Sequence, residues 1–92
     1  MNIKESLKNE DWRQFSDNVG NHILKYVVPQ YGDKGEDVAS EYTVDDCVRN
    51  MKKYLARTGR NSRHGQDQLD LIKIAHYAQM AYTLLGEQNA SE

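Results

Sequence analysis

Between Arg49 and His64 the chain carries six basic residues, Arg49, Lys52, Lys53, Arg57, Arg60 and Arg63, and no acidic one. Asp46, Asn50, Lys53 and Arg57 stand about one helical turn apart, so on a helix they form a single polar band. Arg60, Arg63 and His64 follow in a glycine-bounded loop, Gly59 to Gly65, that reads GRNSRHG. Forked guanidinium donors and the backbone amides at a helix start both favour an oxyanion, and a helix begins directly after this loop. These residues predict a phosphate site built from Asn50, Lys53, Arg57, Arg60, Arg63 and His64. A purely solvated basic face is the competing reading.

Asp67 and Asp70 come next, three apart on one helix face, with Lys73 a turn further on. Two carboxylates at that spacing can share a divalent cation such as Mg2+, which in turn holds phosphates. They can equally complement the positive end of the helix dipole, with Asp70 and Lys73 paired. No Ser-His-Asp or Cys-His arrangement is legible. Cys47 occupies an apolar position and reads as a small core residue. His76 sits in apolar surroundings as a core or interface histidine, and His22 and His64 have no evident partner. No catalytic residue is assigned, and the residues leave open whether the chain is an enzyme.

The basic run has an acidic counterpart. From Gln30 to Asp46 there are six acids against Lys34 alone, so a net charge of −2 conceals a dipolar chain. Either the two segments face each other or each meets its own partner: an anion for the basic run, a basic surface on another protein for the acidic loop from Asp33 to Glu41. Duplex nucleic acid is disfavoured, because the sequence pI is near 5.9 and no aromatic residues interleave with the basic ones.

Helices must position these groups. An amphipathic helix is expected over about 10–27, capped by Asn9 and ended by Pro29. Gly20 inside it suggests a close helix crossing, since Gly costs about 1 kcal/mol against Ala there. The glycine-containing stretch PQYGDKGEDVASEY reads as a long loop, without the Lys-Ser/Thr of a P-loop after Gly32 or Gly35. The second helix, about 44–58, has a capping box of Thr43 and Asp46, a Tyr42–Cys47 staple, and Gly59 at its end. The third spans about 66–85, with Gly86 as its end and 86–92 as a flexible tail; residues 1–8 form an N-terminal arm.

That third helix is apolar on two sides. One stripe is Leu71, Ile74, Ala75, Ala78, Ala81, Tyr82 and Leu85; the other is Leu69, Ile72, His76, Met80 and Leu84. A helix of this kind must be covered twice. The expected fold is therefore all-α, a single domain of three main helices in a small bundle completed by homo-oligomerisation. Ninety-two residues with one cysteine and no cysteine–histidine cluster lack the usual staples of small domains, which points the same way. No signal peptide or apolar run of about 20 residues is present, so a soluble, cytoplasmic protein is expected.

The run Asp67-Gln68-Leu69-Asp70-Leu71-Ile72 followed by Ala75-His76-Tyr77-Ala78 resembles the second acidic motif of MazG-like all-α nucleotide pyrophosphohydrolases. The order Tyr31-Gly32-Asp33, then Asn50 to Arg57, then the acidic helix also resembles small phage-encoded helical domains. The similarity covers about Gln30 to Leu85 and rests on short motifs. It implies a phage or mobile-element accessory protein that binds a nucleotide, with Mg2+ on Asp67 and Asp70. The family's earlier Glu pair is missing: Asp33 and Glu36 have its spacing but fall in the loop. The resemblance thus implies nucleotide binding and leaves hydrolysis open. The alternative is a non-enzymatic protein that occupies a host protein through the acidic loop.

Overall fold

The computed structural model describes residues 6–32 and 42–91, and these are helical apart from short connections. Helix α1 (Leu7–His22) continues through a π-helical turn (Ile23–Val27) into the single turn α2 (Val28–Tyr31). Helices α3 (Val44–Arg57) and α4 (Gln66–Ser91) complete an all-α bundle, as the periodicity predicts. No helix among the described residues is long and apolar enough to cross a membrane.

Three boundaries differ from expectation, each for a local reason. Helix α1 begins at Leu7 because Ser6, rather than Asn9, is its cap: the Ser6 hydroxyl accepts from the Asn9 amide at 3.3 Å. The expected arm therefore loses Leu7 and Lys8 to the helix, and residues 1–5 lie outside the described residues. Pro29 does not end the rod. The Val28 amide reaches back five residues to the Ile23 carbonyl. The widened turn leaves Pro29 in the first turn of α2, where a missing amide hydrogen costs little. Gly32, at φ +87°, then closes α2, its amide donating to the Val28 carbonyl at 2.8 Å. Gly86 does not end α4 either; the helix runs on to Ser91 instead of leaving a flexible tail. One glycine weakens a helix by about 1 kcal/mol, and no proline follows to force a break.

The start of α3 is as expected. Thr43 accepts from the Asp46 amide at 3.1 Å, and Asp46 accepts from the Thr43 amide at 3.0 Å. The α3–α4 register follows from the short loop between them. Arg57 meets Asp70, Tyr54 meets Tyr77, and Cys47 clusters with Met80 and Ala81, an antiparallel order. Tyr42, Val44, Tyr77 and Leu84 pack around that cluster, so the staple residue Tyr42 and Cys47 share one core. Burial pushes the Cys47 thiol up, with the neighbouring Asp46 charge adding to it, so it remains a neutral packing group.

Helix α1 packs on α4 less extensively than α3 does. Nothing lies within 4 Å of a β-carbon placed on Gly20, so the expected close crossing is absent there. Leu7, Trp12, Leu24 and Tyr26 stay exposed along the first rod. Helix α1 brings His22 within electrostatic reach of His76 and Lys73 on α4. Burial first, then neighbouring positive charge (Lys73 for His22, His22 for His76), holds both imidazoles below the ordinary histidine value. A histidine whose folded value is depressed resists protonation in the fold. Its contribution is whole above about pH 6.5, the unfolded value, and declines as pH falls below it. We expect the melting temperature to fall between pH 7.5 and 5 and His76→Gln to flatten that slope. An unchanged slope would mean the contact is not pH-sensitive.

Candidate functional site

The residues singled out by the sequence divide into two groups with different fates. The first is an anchor. Asp70 is fully buried, with 0% exposure, and both of its oxygens are fully engaged. The Arg57 guanidinium donates to it in a fork, Nη2 to Oδ1 at 2.7 Å and Nε to Oδ2 at 2.9 Å. Gln66 Nε2 adds a bond to Oδ1 at 2.9 Å and Asn61 Nδ2 one to Oδ2 at 3.0 Å. The Arg57 guanidinium, with smaller help from Gln66 and Asn61, holds the Asp70 carboxyl far below the usual carboxylate range despite burial. Asp67 ties down the loop: its Oδ1 accepts from the Gly59 amide at 2.9 Å and from Asn61 Nδ2 at 2.8 Å. Gly59, at φ +85°, turns its amide toward that carboxylate in a conformation disfavoured for residues with a β-carbon.

This arrangement does not suit Mg2+. Each Asp70 oxygen already accepts two bonds, and a divalent cation would have to displace a forked guanidinium from a site closed to water. Among the described residues no group of three or more His, Cys, Asp and Glu side chains could hold a metal ion. The alternative Asp70–Lys73 ion pair does not form either, because Asp70 is committed to Arg57.

The second group is a cluster of positive charge on one aromatic ring. Lys53 Nζ lies 4.9 Å from the Tyr54 ring centroid, the Arg57 guanidinium carbon 5.0 Å, and Lys73 Nζ 5.2 Å. Tyr54 in turn stacks on Tyr77, centroids 6.1 Å apart and planes 21° apart, and Tyr77 contacts Tyr42. The negative face of a ring attracts each cation, yet the three cations repel one another. The carboxylate that compensates Arg57 is Asp70; among the described residues neither Lys53 nor Lys73 forms an ion pair. The result, among the described residues, is a ledge between α3 and α4 that carries two ammonium groups without an ion-pair partner.

The chain matches no family model, no curated protein and no solved structure.

The remaining expected residues are spread around this ledge. Asn50 lies on α3 and donates to the Asp46 carbonyl at 2.9 Å. Asp46 serves the cap and pairs with Arg49. Arg60, Arg63 and His64 are exposed on the connecting loop. The acidic loop residues Asp33, Glu36, Asp37 and Glu41 lie outside the described residues. Sequence reasoning missed Lys73 and Tyr54 as parts of the site, reading one as an ion-pair partner and the other as core. The signal lay in the pairing across the loop: once Arg57 is joined to Asp70, the next turns of both helices must bring Tyr54 to Lys73.

Proposed function

We propose that this chain is a small all-α protein that binds a phosphorylated ligand, most naturally a nucleotide, at the Tyr54 ledge. The observation that carries this is the convergence of Lys53, Lys73 and Arg57 on one ring, where among the described residues Arg57 alone of the three is ion-paired, to Asp70. Phosphate oxygens would bridge the two ammonium groups, each a strong and compact donor. Arg57 is anchored by Asp70 and contributes field rather than a free fork. The resemblance to MazG-like modules and phage-encoded helical domains supports a nucleotide as the ligand class. Here the lysines supply the positive charge that Mg2+ supplies in that family, so binding without hydrolysis is the activity proposed.

Calorimetric titration with pyrophosphate and with ATP, each in EDTA, tests this. Binding should persist without metal and weaken as salt rises, because the attraction at an exposed ledge is screened. Failure of both ligands to bind at low salt would overturn it. Binding that requires Mg2+ would return the role to Asp67 and Asp70.

A further inference from the structure

Two histidines lie close to the Tyr54 ledge. Lys73, whose Nζ is 5.2 Å from the Tyr54 centroid, stands three residues before His76 on α4, about one turn away. The His76 ring lies 6.3 Å from that of Tyr77, and Tyr77 stacks on Tyr54 at 6.1 Å. A row of rings thus joins His76 to the ring that carries the cations. From α1, His22 comes within electrostatic reach of both Lys73 and His76, its own ring 5.4 Å from Tyr26. Both imidazoles are half-buried. The charges acting on them are Lys73 and each other, and α3 adds Lys53 and Arg57 across Tyr54. Asp70, the acid nearest Lys73 along α4, is spent on Arg57.

We propose that an anion bound at the Tyr54 ledge draws protons onto His76 and His22, so that the ledge holds its ligand more tightly as the solution turns acidic. This rests on the ligand site proposed above and adds its regulation. Without an anion, a proton on either ring places a further positive charge in a cluster that already holds Lys73. That opposition agrees with both imidazoles being held below the ordinary histidine value, chiefly by burial. Phosphate oxygens on Lys53 and Lys73 reverse the sign, because a nearby negative charge favours the protonated ring. Reciprocity then requires that the protons taken up on binding also strengthen binding. Affinity grows as pH falls through the histidine values of the complex and levels off below those of the free protein. A charge several ångströms away at a protein surface is worth about threefold in affinity.

Calorimetric titration with pyrophosphate in EDTA, in buffers of different ionisation enthalpy, counts the protons taken up. Pyrophosphate itself gains protons in acid, so the quantity read is the difference between wild type and the double variant His22→Gln with His76→Gln. At about pH 6, near the ordinary histidine value, wild type should take up about half a proton more per site. Its affinity should also gain about threefold on the variant between about pH 7.5 and 6. Should the double variant lose its helical circular dichroism, each single variant is read in its place. Equal uptake, with pyrophosphate bound by both proteins, overturns the coupling and leaves the ledge as a ligand site. Failure of wild type to bind pyrophosphate at either pH overturns both.

Discussion

Replacing Arg57 with alanine should destabilise the protein more than replacing its partner Asp70, although the two lose the same ion pair. The asymmetry follows from solvent access. Asp70 has no exposure, whereas the Arg57 side chain retains 42%. Asp70→Ala frees a guanidinium that can turn to water, and it also strands Gln66 and Asn61. Losing one partner of a buried pair costs about 3–5 kcal/mol, and the partial exposure of Arg57 places Asp70→Ala near about 3 kcal/mol. Arg57→Ala leaves a carboxylate sealed from water with only neutral donors, which is the worse outcome. Urea unfolding of both single variants and the double variant would show it: the double should lose less than the two losses combined. Equal losses, or strict additivity, would mean the pair is not the anchor inferred from its geometry.

The same pair makes a statement about pH. The folded Asp70 value is depressed, so its contribution is present above the unfolded carboxylate value of about 3.9. It declines as pH falls below that value and is gone once pH has passed the lower folded one. The stability of wild type should therefore decline in acid more steeply than that of Asp70→Asn.

The second large effect concerns binding. Exchanging both ledge lysines, as Lys53→Glu with Lys73→Glu, should weaken pyrophosphate and ATP by roughly 100-fold. Each exposed ammonium-to-phosphate contact lies at the low end for charged hydrogen bonds, roughly tenfold in affinity. Neither lysine is joined to a carboxylate among the described residues, so melting temperature should change little. Arg60→Glu with Arg63→Glu serves as the comparison. If those loop arginines reduced affinity more than the lysines did, the ligand would sit over the loop as the charge pattern alone suggests.

Local sequence determined much of this protein. The α3 cap is written in Thr43 and Asp46, which bond each other across one turn. The helical periods of the three apolar faces are likewise readable without coordinates, as is Cys47 as a core residue. Ends governed by weak preferences were less legible. A helix accommodated Pro29 by widening one turn and tolerated Gly86 outright, because neither cost exceeds what continued helix recovers.

The assignment of charges was decided by tertiary structure alone. Arg57, Asp67 and Asp70 look like ligand and metal residues when read along the chain. Closing the loop between α3 and α4 turns them toward one another instead, and a buried carboxylate requires every donor within reach. That closure then leaves Lys53 and Lys73, distant in sequence, on a shared ring with no ion pair among the described residues. Residue type and spacing specify which groups can pair; only the packing of two helices specifies which have paired.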